Sequence, residues 1–226
     1  MSASTRRPAR VGIVVIAPVV LLTALSYHPH LPGRQPNLDA VASAVELDPS
    51  RWAVAHLGAG VAFGLLSLAF LAVRGYLREA GEDRWSAAAL PFVIIGNTLY
   101  AMLPGMEFAP LAAVETGGSA RAAQEALVPW FVPLLIVGAL AFGVGVLGMA
   151  RGVARSRVLS TGLTRLVVVA FVVMALSRFV PLSAVQFHVQ GVAGLAALLP
   201  LAYAMAKQPH HAGEPVSRER NHHLSS

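Results

Sequence analysis

Six apolar runs separated by short polar segments organise the chain: residues 11–27, 52–73, 87–103, 127–150, 166–180 and 182–206. A helix rises 1.5 Å per residue, so about 20 apolar residues cross the roughly 30 Å hydrocarbon core of a bilayer. Backbone polar groups find no partners in hydrocarbon, and the helix, which satisfies them internally, is the form such runs take. The pattern predicts an all-α, polytopic membrane protein, a bundle of about six transmembrane helices. The fifth run is short and meets the sixth at Pro181, which predicts a tight helical hairpin.

The first run follows Arg6, Arg7 and Arg10 and could act as a cleaved signal peptide. Pro18 and the lack of a clean small-residue cleavage site favour an uncleaved anchor. The polar stretches are too short for a separate soluble domain. The organisation predicted is a cytoplasmic N-terminal segment 1–10, a six-helix transmembrane domain 11–206 and a cytoplasmic disordered tail 207–226. Two outer loops remain, 28–50 and 104–126, the second with a short helix from Ser119.

Composition supports this reading. The chain of 226 residues is 56% hydrophobic and 12% charged, about half the roughly 25% charged residues of a soluble domain. The absence of cysteine excludes disulfides, thiolate metal sites and cysteine nucleophiles. The net charge of +6 does not point to nucleic acid, because the basic residues sit in short loops between apolar runs. With the N-terminus in the cytoplasm, Arg6, Arg7, Arg10, Arg74, Arg78, Arg84, Arg151, Arg155, Arg157, Arg165, Lys207, Arg218 and Arg220 lie inside. Only Arg34, Arg51, Arg121 and Arg178 lie outside. This bias follows the positive-inside rule and places both termini in the cytoplasm of a multi-pass cell-membrane protein, with the lipid bilayer as its main partner.

Helices in lipid associate through small residues at close contacts. The second run carries Gly60-x-x-x-Gly64, the fourth Ala141-x-x-x-Gly145 and Gly148-x-x-x-Gly152, and the sixth Gly191 and Gly194. These spacings predict tight packing.

Ionisable groups in a membrane segment cost about 2.5–3.5 kcal/mol at its centre on insertion scales, so they draw the functional reading. His56 and His188 each lie five residues past the outer boundary of their runs, roughly 7–8 Å deep. Arg178 ends the fifth run and Glu107 follows the third. Asn97 and Tyr100, on one face of the third run, form the expected floor of this cluster. Gln186 and Gln190 flank His188, and Trp52 lies one turn above His56.

Several roles fit such a cluster. It can be a polar belt fixing helix register, with Glu107 paired to Arg178. It can be an outward-facing pocket for a small molecule, a lipid headgroup or a proton-linked solute, used for binding, sensing or transport. Two imidazoles are the minimum for axial haem ligation, which makes His56 and His188 candidate haem ligands. A metal-dependent hydrolase normally needs three protein ligands and a water; Glu107 would have to be the third, and no H-E-x-x-H pairing supports it. A non-catalytic accessory subunit of a membrane complex is a further alternative. His28 and His30 lie in the first outer loop near the pocket mouth, and read as solvated loop residues. No P-loop, dinucleotide fingerprint or G-x-S-x-G elbow is present. The pocket reading leads, and an enzymatic role is not favoured.

Overall fold

The computed structural model describes residues 3–208, and of the expected tail 207–226 all but the first two residues lie outside the described residues. The protein is all-α, with 85% of the described residues helical. Eight helices follow in order: α1 (Ala3–Tyr27), α2 (Leu38–Leu47), α3 (Pro49–Glu79), α4 (Arg84–Met106), α5 (Phe108–Glu115), α6 (Ala120–Ser156), α7 (Thr161–Ser177) and α8 (Gln190–Lys207). A π-helical segment, Val185–Val189, runs directly into α8. Five of these elements are long and apolar enough to cross a membrane, and α7 is a shorter apolar helix. They coincide with the six apolar runs, and each helix overshoots its run into polar sequence.

Local sequence explains the boundaries. Asn37 caps α2 by accepting from the Ala40 N–H at 3.1 Å, and Asp48 caps α3 by accepting from Arg51 N–H at 2.9 Å, with Pro49 in the first turn. Glu82 does the same for α4, accepting from the Trp85 N–H at 2.7 Å. Ser119 caps α6, which stops where Arg157 turns left-handed at φ 55°. α1 begins at Ala3, within the expected N-terminal segment 1–10. Within α1, Arg7 donates to the Met205 carbonyl at 3.0 Å and Arg10 pairs with Glu79, which ties its first turns to the ends of α8 and α3.

The long helices form a closed ring in sequence order. Each packs on its neighbours along the chain, α1 on α3, α3 on α4, α4 on α6, α6 on α7 and α7 on α8, and α8 returns to α1. Phe70, Phe142 and Phe171 meet at the centre, with Phe70 at 6.3 Å from Phe142 and 5.7 Å from Phe171 between ring centroids. The outward faces are also apolar, with Ile16, Leu57, Leu68, Leu140, Val169 and Val192 exposed. Helices apolar on all sides are the pattern of a protein whose surroundings are not water.

Close approach is concentrated between α4 and α6. A Cβ added at Gly96 would fall 2.5 Å from the Phe142 nitrogen, and one at Gly145 would fall 2.5 Å from the Val93 nitrogen. Two backbones in contact tolerate no side chain there. The expected Gly60-x-x-x-Gly64 contact is different: Gly64 has nothing within 4 Å, and Gly60 has only atoms at 3.9 Å. Glycine spacing alone does not say which face meets a neighbour.

At one end of the ring, α2, α5 and the start of α6 form a cap. A second buried cluster sits there, built on Trp52, Val45, Ala120 and Leu111. Arg121 and Asp39 pair across α6 and α2. The loop after α1 crosses to the α7–α8 turn: Ser183 donates to the Leu31 carbonyl at 2.8 Å, and Gln35 N–H to the Pro181 carbonyl at 2.9 Å.

Candidate functional site

Beneath this cap lies a cavity of about 340 Å³. Its walls come from α3, α4, the first half of α6, the α7–α8 turn and the loop-plus-α2 lid. Most of the lining is apolar: Leu25, Phe63, Leu103, Val132, Leu135 and Phe187 are representative. Residues 125–137 of α6 include no buried residue although several line the cavity, and Trp130 is 71% exposed. The π-helical segment opposite packs on α1, α7 and α8. The cavity is thus thinly walled on its α6 side, where Ile136 and Phe179 are both exposed.

Arg178 is the buried charge of this cavity. It follows the last residue of α7 and turns inward, 3% exposed. Its guanidinium carbon lies 3.5 Å from the Phe142 ring centroid, 3.7 Å from that of Tyr100 and 5.2 Å from that of Phe63. Aromatic faces attract a cation through their quadrupole, with energies up to about 2 kcal/mol when desolvated. Gln190 supplies the hydrogen bonds: with its amide oxygen facing the guanidinium, it accepts from Nε at 3.2 Å and Nη2 at 2.9 Å, and its nitrogen donates to the Gln186 carbonyl at 3.1 Å. Nη1 of Arg178 and the Tyr100 hydroxyl have no partner.

Glu107 does not neutralise Arg178. Its Oε1 accepts from Gln124 Nε2 at 2.9 Å, and its Oε2 is unpartnered. The expected Glu107–Arg178 pair is therefore absent among the described ion pairs. The reason is positional: Glu107 sits at the α4–α5 junction under the cap, while Arg178 reaches down into the aromatic layer of the ring.

A second polar group faces the cavity from the lid side. His28, the first residue after α1, meets His56 of α3 with Nε2 to Nε2 at 3.3 Å. Each ring is anchored at its other nitrogen, His28 Nδ1 at 2.7 Å from the Pro29 carbonyl and His56 Nδ1 at 2.7 Å from the Trp52 carbonyl. Trp52 lies against His56 at 4.2 Å between centroids and donates from Nε1 to the Glu107 carbonyl at 3.0 Å. Burial pushes the His28 imidazole down to about 4, so the ring is neutral at pH 7.

Comparison with protein-family models, curated proteins and solved structures finds no match for this chain. The site is consequently read from its own geometry.

Of the residues singled out by sequence, His56, Glu107, Arg178, Tyr100, Trp52, Gln186 and Gln190 line the cavity. Two do not. Asn97 is buried on α4 with both amide atoms unpartnered, away from the cavity lining. His188 is exposed and lies in a shallow outer groove with Leu166, Val169 and Val192. The π-helical turn that carries it is wound wider than an α-helix, so counting residues from the boundary misplaces its side chain. His56 and His188, the candidate haem ligands, thus line different cavities. No three His, Asp or Glu side chains gather to hold a metal ion among the described residues.

Sequence reasoning missed His28 and Gln124. His28 was placed with the solvated loop, yet it follows α1 directly and folds back under the lid. Gln124 lies in the first turns of α6, where its polarity resembled that of the surrounding surface.

Proposed function

We propose that the chain is a multi-pass cell-membrane protein, with both ends on the cytoplasmic face, that binds a small amphipathic molecule in this pocket through an anionic group. Six passes put both ends on one face, and the excess of arginine at the end opposite the cap makes that face cytoplasmic. The cap and cavity then belong to the outer leaflet.

One observation carries the reading: a guanidinium 3% exposed in the lining of an apolar cavity, with no carboxylate partner and no hydrogen bond to Nη1 among the described residues. A buried charge needs pairing and full hydrogen bonding, and its lack is tolerated where a ligand supplies the missing group. A carboxylate or phosphate accepts from the fork of a guanidinium. The apolar walls suit a hydrocarbon body, and the thin wall at α6 supports entry from the side. A register-fixing belt would account for the bonds to Gln190 but leaves Nη1 and the empty volume without a role.

The test is binding of a fluorescent long-chain carboxylate to the purified protein, with the matching alcohol as control. A hydrogen bond to a charged group is worth about 1.5–3 kcal/mol, so Arg178→Gln is expected to weaken the carboxylate by roughly 10- to 100-fold. The alcohol should be unchanged. Leu135→Trp, which fills the cavity, should weaken both. Equal binding of carboxylate by wild type and both variants would overturn the reading.

A further inference from the structure

We infer that His28 and His56 form a binding site for a divalent transition-metal ion of the zinc class, with its remaining coordination positions open to the cavity. The inference rests on the histidine pair alone and does not depend on what Arg178 binds.

The hydrogen bonds fix the tautomers. A ring nitrogen 2.7 Å from a carbonyl oxygen must carry its proton, because two lone pairs at that distance repel. Nδ1 is therefore the N–H in both rings, donating to the Pro29 carbonyl from His28 and to the Trp52 carbonyl from His56. Both Nε2 atoms are then bare acceptors, and they face each other at 3.3 Å. An N–H···N bond between them would require one ring to move its proton and abandon its carbonyl. As it stands, the pair presents two facing lone pairs.

That arrangement has the dimensions of half a metal centre. With Zn–N of about 2.0–2.1 Å and tetrahedral angles, two imidazole nitrogens on one ion stand about 3.3–3.4 Å apart. The rings are 4.8 Å between centroids and inclined at 64°, so they are not stacked past each other. Ligating histidines characteristically donate their other ring N–H to a carbonyl or carboxylate, which fixes the ring and raises its basicity, and both rings here do so. Imidazole suits zinc, copper and nickel, and the absence of thiolates and of a converging carboxylate cage disfavours softer or harder ions. Glu107 lines the same cavity, with no hydrogen bond to Oε2 among the described residues. Water or a ligand group in the cavity would complete the coordination.

The experiment uses the full chain carrying His210→Ser, His211→Ser, His222→Ser and His223→Ser, so that tail imidazoles contribute no signal. Purified protein is titrated with Co2+, whose visible bands intensify when it is four-coordinate, and the bound ion is then displaced with Zn2+. One Co2+ per chain with intensified bands is expected. His28→Ala and His56→Ala should each weaken binding about tenfold or more, and His188→Ala should leave it unchanged. Absence of the bands, or bands that survive both His28→Ala and His56→Ala, overturns the inference. Should His56→Ala fail to give monodisperse protein, His28→Ala, in a loop, decides alone. Arg178→Gln is expected to keep the Co2+ bands, so the metal site and the anion pocket stand or fall separately.

Discussion

Arg178 and Glu107 line one cavity, and they nonetheless bond to amides instead of to each other. Gln190 takes the guanidinium and Gln124 takes the carboxylate. A buried donor or acceptor left without its partner costs about 1–3 kcal/mol. Gln124→Leu strips Glu107 of the hydrogen bond it accepts from Gln124 and should lower stability by about that amount, read as a reduced melting temperature in detergent. Glu107→Gln keeps a partner for Gln124 and removes the buried charge, so it should change the melting temperature little. A larger loss in Glu107→Gln than in Gln124→Leu would mean that the carboxylate has a partner other than Gln124. Sequence put Arg178, Glu107 and Gln190 in one cluster but left Gln124 out of it and did not reveal the pairing, because which amide meets which charge depends on helix rotation.

Among the elements, α4 and α6 approach most closely, and their glycines can be ranked by what a side chain would strike. Overpacking costs about 1–3 kcal/mol, more where backbone is struck. Gly96→Leu and Gly145→Leu should therefore destabilise the bundle strongly, visible as aggregation or a large drop in melting temperature. Gly64→Ala meets nothing within 4 Å, and helix propensity favours alanine over glycine by up to about 1 kcal/mol. It should be neutral or slightly stabilising, which sets contact geometry against the Gly-x-x-x-Gly spacing as the guide to packing. The π-helical segment is the other element the apolar pattern did not show. Its apolar run reads as uninterrupted helix, and the wider winding follows from the turn at Pro181 and the anchoring of Ser183 on Leu31.

At the scale of the whole molecule, the ring brings α8 back to α1 and sets both ends of the described chain on the same side. The lack of native cysteine gives a silent background for labelling. Arg34→Cys, in the lid, should react with a membrane-impermeant thiol reagent added to whole cells. Arg157→Cys, at the far end of α6, should react only after the cells are opened. The reverse pattern would invert the proposed orientation and move the pocket to the inner leaflet.

The apolar runs that become helices and the bias of arginine to one end were legible in the chain, because hydrophobic runs and loop charge are local properties of consecutive residues; the helix limits were not, since α3, α6 and α7 extend beyond their runs. So was the concentration of titratable groups near one end. The closed ring, the cap made by α2 and α5, the rotation that turns His188 outward, and the fold-back that sets His28 against His56 came only from tertiary structure. Each depends on which face of a helix meets which neighbour, and residues 28 and 56 meet only because α1 and α3 pack side by side. Sequence spacing records depth along a helix; packing decides direction around it.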